Sequence, residues 1–227
     1  MRKKDDCKYS EYKDNALGAF HLYEEDNLPK AIELVRENRK RESTSWNVVN
    51  YTKTLLGLLE KAGEQAEYEI ELRYLVLELK CRETEFVVRL KKITPIEQWP
   101  TVFGILLADA KRPADRMELY HLNGMYSELH AELSRYSYIG LFQNYEEDLR
   151  RWDSERTLKL YAEILKWEMD RACDRKQYRY VASHLSRLRA YPNGEQEAKA
   201  LAAHWYIYHK NRPAMKDELK KAGYPQE

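Results

Sequence analysis

Apolar side chains recur three and four positions apart along most of the 227-residue chain, the spacing that gathers them on one face of an α-helix. Val48, Tyr51, Leu55, Leu58 and Leu59 share one such stripe. Leu158, Tyr161, Ala162, Leu165, Met169 and Ala172 make a second, and Ala198, Leu201, Ala202, Trp205 and Tyr208 a third. The segment from Glu64 to Lys80 carries two: Tyr68, Leu72, Leu75 and Leu79, and Ile70, Tyr74, Leu77 and Cys81. A helix apolar on two sides requires helices on both, as in a stacked array. No stretch alternates apolar and polar residues over the length of a strand. The pattern predicts an all-α fold.

Capping and breaking residues divide the pattern. Asn27-Leu28-Pro29 sets a capping residue ahead of a first-turn proline, and Thr94-Pro95 repeats the signal with Glu97 where a capping box would use it. Ser43-Thr44-Ser45 opens a helix, Gly63 closes it, and the next starts at Glu64. Arg112-Pro113, Asn123-Gly124, Asp153-Ser154, Pro192-Asn193-Gly194 and Arg212-Pro213 mark further breaks. The connections are short, which predicts a right-handed stack of antiparallel helix pairs, an α–α superhelix of about 11 to 13 helices. Tyr126, Leu129 and Leu133 follow one turn, and Tyr178, Val181 and Leu185 follow another with the same spacing. An aromatic opening the second helix of a pair is tetratricopeptide-like (TPR-like), although the consensus repeat is not met. The expected organisation is one helical-repeat domain over residues 1–227, with residues 1–93 and 94–227 as its subdivision.

Composition adds an aromatic excess: 18 Tyr and 5 Trp against 4 Phe, rings that bury an apolar body while keeping a polar tip. Net charge is +1, unevenly spread. From Arg171 onward 12 Lys or Arg stand against 6 Asp or Glu, so the preceding residues carry −5. Cys7, Cys81 and Cys173 are far apart and odd in number, which reads as free thiols in a reducing compartment. The N-terminal Met-Arg-Lys-Lys-Asp-Asp has no apolar stretch of a signal peptide, and no apolar run approaches a membrane span. These observations predict a soluble, cytoplasmic protein.

Chemistry-bearing patterns are sparse. His204 and His209 stand too far around a helix to share a metal, and there is no HExxH and no Cys/His cluster. Glu118 and His121 match the Glu-x-x-His spacing of di-iron bundles, but Glu128 and His130 do not. Nucleophile elbows, phosphate loops and dinucleotide fingerprints are missing. The expectation is no catalytic, cofactor or metal site, and no enzyme. What remains is a candidate basic contact surface, Arg171, Arg175, Lys176, Arg179, Arg187 and Arg189, bordering Tyr178 and Tyr180. Basic groups beside aromatics can grip a backbone and stack bases. Tyr126 and Tyr178, opening the two repeat-like helices, form a candidate aromatic groove.

Five segments carry a family resemblance. Glu118-Leu119-Tyr120-His121-Leu122-Asn123-Gly124-Met125-Tyr126-Ser127-Glu128-Leu129, then Tyr145-Glu146-Glu147-Asp148-Leu149, then Arg156-Thr157-Leu158-Lys159-Leu160-Tyr161 resemble the helical region that follows the zinc finger in bacterial SWIM-domain proteins. Tyr178 through Leu188, and the closing Arg212-Pro213-Ala214 with Asp217-Glu218-Leu219 and Ala222-Gly223, are similar to that family's ending. The family's CxC and CxH zinc ligands are not in this sequence, so the resemblance implies helical repeats and no metal. It implies the C-terminal portion of a longer protein or a paralogue lacking the finger. The two-sided segment from Glu64 to Lys80, the tyrosine excess and the missing catalytic residues predict a scaffold that holds a protein or peptide on the inner surface formed by second helices. Nucleic-acid binding by the basic C-terminal third is the alternative.

Overall fold

The computed structural model describes residues 27–136 and 138–226. The N-terminal hexapeptide, Cys7 and His21 lie outside the described residues. Among the described residues thirteen α-helices and one π-helical turn succeed one another, and no strand forms. None of these helices is long and apolar enough to cross a membrane. Two compact units divide at Lys111 and Arg112.

The first unit holds α1 (Leu28–Arg41), α2 (Ser45–Ala62), α3 (Gln65–Arg73) running into the π turn (Tyr74–Glu78), α4 (Thr84–Ile93) and α5 (Trp99–Asp109). Gly63 ends α2 as the spacing predicts. Its φ of 72° is left-handed, and the Gly63 and Glu64 amides bond back to Glu60 and Leu59 carbonyls, closing the helix with a Schellman motif. The α2 stripe is buried from Tyr51 to Leu59 and packs on α1 through Ala31, Ile32 and Val35. Arg39 of α1 donates to Glu71 of α3 at 2.8 Å and to Thr52 of α2 at 3.3 Å, pinning the three helices together.

Two expectations for this unit need correcting. The segment after Glu64 is not apolar on two buried sides: Tyr68, Leu72 and Leu75 are buried, but Ile70 is 67% and Tyr74 37% exposed. Ile70 lies in the regular helix ahead of the π turn, and only from Tyr74 on does the π turn reset the rotation. The Leu79 amide reaches back to Tyr74 and the Cys81 amide to Leu75, a wider turn than the α-helix makes. It rotates Val76 and Cys81 inward and breaks the stripe that a straight helix would have continued. Thr94 likewise does not start a helix. Its hydroxyl donates to the Leu90 carbonyl at 2.7 Å and closes α4. The following helix begins instead at Trp99, with Gln98 as its cap and Pro100 in its first turn.

The second unit contains α6 (Pro113–Leu122), α7 (Tyr126–Tyr136), α8 (Ile139–Gln143), α9 (Glu146–Trp152), α10 (Ser154–Arg171), α11 (Arg175–Leu188), α12 (Gly194–Tyr208) and α13 (Pro213–Lys221). One core joins them. Leu129 and Leu133 of α7, Phe142 of α8, Tyr161, Leu165 and Met169 of α10, Val181 and Leu185 of α11, and Trp205 of α12 are buried within it. Along α12 the predicted stripe holds except at its end. Tyr208 is 71% exposed and stacks on His204 at 4.1 Å. Tyr206 takes the buried place, its hydroxyl 3.1 Å from the Lys216 and Tyr224 carbonyls.

Arg212 closes the far end of α10. Its guanidinium donates to the carbonyls of Met169, Asp170 and Ala172 at 3.0, 3.1 and 3.2 Å, groups that a helix C-terminus otherwise leaves unpaired. Replacing Arg212 by Ala is expected to destabilise the second unit by about 2 kcal/mol. Lys, a single donor point without the planar fork, should recover less than half of that loss. Urea denaturation of the two variants against the parent measures both figures.

Candidate functional site

Short-range capping builds the hairpin of α10 and α11. The Asp153 carboxylate accepts the Arg156 amide at 3.0 Å at the start of α10. The Asp174 carboxylate accepts the Gln177 amide at 2.8 Å at the start of α11, while the Gln177 side chain accepts the Cys173 amide at 2.7 Å. Both caps satisfy amides that the first helical turn leaves free. Only residues 172–174 separate the helices, so the two run antiparallel as neighbours.

Between them lies an open cleft of about 360 Å³, lined by Trp167, Glu168 and Arg171 from α10 and by Gln177, Tyr180 and Val181 from α11. Trp167 and Tyr180 are 47% and 48% exposed. The Arg171 guanidinium sits 4.3 Å above the Trp167 ring, a cation–π contact that covers one face of the indole. Tyr180 stands edge-on to His184 at 4.8 Å. His184 is buried, and its Nδ1 accepts a 2.6 Å hydrogen bond from the Tyr161 hydroxyl. Burial, aided by nearby Arg187, pushes the His184 imidazole down to about 4, so it is neutral near pH 7. Burial raises the Tyr161 phenol, keeping it the donor.

The predicted basic residues meet different fates. Arg175 pairs with Asp217 and, at 2.9 Å, with Glu218; Arg179 reaches the other oxygen of Glu218 at 2.9 Å. Lys221 adds a third cation at 3.2 Å. Arg179 first, and Lys221 after it, hold the Glu218 carboxyl down to about 2. Arg187 pairs with Glu146 at 2.9 Å, an acid that also accepts the Tyr191 hydroxyl. Arg189 pairs with Glu195 at 2.5 Å and lies over the Tyr224 ring. Among the described residues, Arg171 and Lys176 enter no ion pair, and both are exposed.

Tyr126 and Tyr178 keep separate neighbours. Tyr126 is half-buried beside His121 and Trp152, whereas Tyr178 is buried with the Arg212 guanidinium 5.9 Å from its ring. The tyrosine that opens onto solvent is Tyr180, two positions on. The Glu-x-x-His match is spent on packing: Tyr145 donates to Glu118 at 3.3 Å, and His121 Nε2 lies 2.8 Å from Asp148. Among the described residues no three His, Cys, Asp or Glu gather where a metal ion could sit. Two further hollows flank α12, one against α10 beside His204 and one beneath the C-terminal segment beside Tyr224. Trp167 was visible in the sequence only as part of a helix end. Its signal is the one-turn spacing to Arg171, matched on α11 by Lys176 and Tyr180.

Compared with protein-family models, curated proteins and solved structures, the chain matches none of them.

Proposed function

We propose that the chain is a non-catalytic helical-repeat interaction module, its antiparallel pairs stacked as a TPR-like superhelix in a reducing cytoplasm, and that it docks a protein or peptide segment. The observation that carries this reading is the α10–α11 cleft, where Trp167 and Tyr180 present two large rings half to solvent on adjoining helices. Aromatic side chains gathered around a hollow are the anchors on which binding surfaces depend. The test is selection of a random-peptide display library on the full chain. Enriched clones should lose binding when Trp167 and Tyr180 are both replaced by Ala; no enrichment, or binding indifferent to that pair, defeats the proposal.

Nucleic-acid binding is the second reading, carried by the +6 balance from Arg171 onward. Anisotropy with single- and double-stranded probes should then fall steeply with salt. The kinship with SWIM-associated helices stays a proposal resting on the quoted segments. A CxC and CxH element in the reading frame ahead of Met1 is its test.

A further inference from the structure

We infer that the α10–α11 cleft takes an uncharged, proline-rich peptide segment in the extended polyproline II form, which rests on the docking role proposed above and fixes the chemistry of the partner. The lining supplies one charge of each sign, Arg171 and Glu168, both from α10. Just beyond it, Asp174 and Lys176 at the start of α11 again oppose each other. Neither an acidic nor a basic partner meets a surplus of opposite charge there, and an uncharged segment needs none.

Hydrogen bonding is not balanced in the same way. The side chains of Trp167, Arg171 and Tyr180 bring donors that enter no hydrogen bond among the described residues. The Gln177 amide nitrogen is open as well, while its oxygen accepts the Cys173 amide at 2.7 Å. Against these donors stands one carboxylate, Glu168, which already accepts the Ile139 amide at 3.4 Å. The Ala172 carbonyl is spent too, on Arg212. A partner that suits this lining offers carbonyl oxygens and few N–H groups. Proline does so, because its nitrogen carries no hydrogen, and polyproline II leaves every carbonyl free of internal bonds.

The rings supply the rest. Trp167 and Tyr180 stand half exposed on the two sides of the cleft, with buried Val181 next to Tyr180, and aromatic-lined grooves are where proline-rich segments dock. Both rings are supported from within the protein. Arg171 rests on one face of Trp167, and His184, bonded to Tyr161, packs edge-on against Tyr180. A partner that is already extended before it binds adds little ordering cost of its own.

The test uses the full chain with short labelled peptides of Pro and Leu, counterparts with each Pro replaced by Ser, versions of both with acidic or basic flanks, and an oligothymidine probe. Fluorescence polarisation should show the uncharged proline-rich peptide bound, with an affinity that barely moves across a salt series. Ser in place of Pro should weaken it roughly tenfold or more, and so should Trp167→Ala. Trp167→Phe and Tyr180→Phe keep a ring and remove a donor, and each should cost about threefold. Circular dichroism checks folding, and the two Phe variants decide the matter if Trp167→Ala unfolds. Affinity unchanged in both Phe variants overturns the donor match on which the choice of partner rests. Serine counterparts bound as well as the proline peptides, or charged flanks that raise affinity in a salt-dependent way, overturn the uncharged proline-rich partner. If no proline-rich peptide binds, the inference falls alone where library-selected peptides still need Trp167 and Tyr180, and it falls together with the docking role where none is selected. Tighter binding of oligothymidine overturns the inference in favour of nucleic acid.

Discussion

Replacing Gly194 by Ala is expected to cost the second unit about 3–5 kcal/mol, enough to remove much of the stability of an ordinary domain. Asn193, at a φ of 62°, turns the chain sharply so that α12 starts against the last turn of α11. A Cβ on Gly194 would lie 1.6 Å from the Leu188 carbonyl oxygen and 2.5 Å from its carbon. Both are backbone atoms, so no rotamer change relieves the overlap. Either α11 or α12 must shift, carrying Leu188, Ala198 and Leu201 out of the shared core. Gly57 provides the internal contrast. It sits inside α2 with nothing within 4 Å of an added Cβ, so Gly57→Ala should stabilise the protein by up to about 1 kcal/mol. Urea denaturation followed by circular dichroism separates the two outcomes. A Gly194→Ala protein within error of the parent would contradict the geometry.

That glycine shows how far the sequence could be read. Pro192-Asn193-Gly194 announces a turn, because its residues favour one locally, but the clash that forbids a Cβ comes from how closely two helices approach. The Asp153-Ser154 break was legible for the same local reason, its cap being satisfied three residues on. The stripe through Ile70 and Tyr74 misled because periodicity marks an apolar face without saying whether anything covers it, and beyond Tyr74 the π turn changes the rotation. Thr94 misled because a hydroxyl can bond backward to the helix it ends as readily as forward to a new one.

The candidate surface divides along the same line. The arginines between Arg171 and Arg189 form one sequence cluster, but the carboxylates that neutralise Arg175, Arg179 and Arg187 come from about forty residues away on either side; such pairing leaves no mark in the local pattern. What remains open, Arg171 and Lys176, is decided by those distant acids. Tyr178 and Tyr180 are two residues apart, and helical rotation alone separates them. Tyr178 shares the inward stripe of Val181 and Leu185, which turns Tyr180 outward.

The pair behind Tyr180 makes stability sensitive to acid, with a loss of roughly 2–3 kcal/mol expected as pH falls from 6.5 toward 4. In the unfolded chain His184 takes up a proton near its ordinary value of 6.5; in the fold it does so only near 4. Across that window the unfolded state binds more protons, so stability is fully present above it and declines as pH drops through it. The cause is geometric. A proton on Nδ1 would oppose the Tyr161 hydroxyl at 2.6 Å, in a buried site already facing Arg187. Chemical denaturation at the two ends of the window measures the loss. Replacing Tyr161 by Phe and His184 by Leu together should flatten most of it, since neither a titrating ring nor an orphaned hydroxyl is left behind. Glu218 acts lower on the scale. Its contribution is present above its ordinary value of 4.5 and is lost toward about 2, so the two limbs separate on a pH series. A parent protein equally stable at pH 6.5 and near 4 would remove His184 from the account. Because His184 packs edge-on against Tyr180, capture of the library-selected peptides should weaken across the same window in the parent and much less in the double variant.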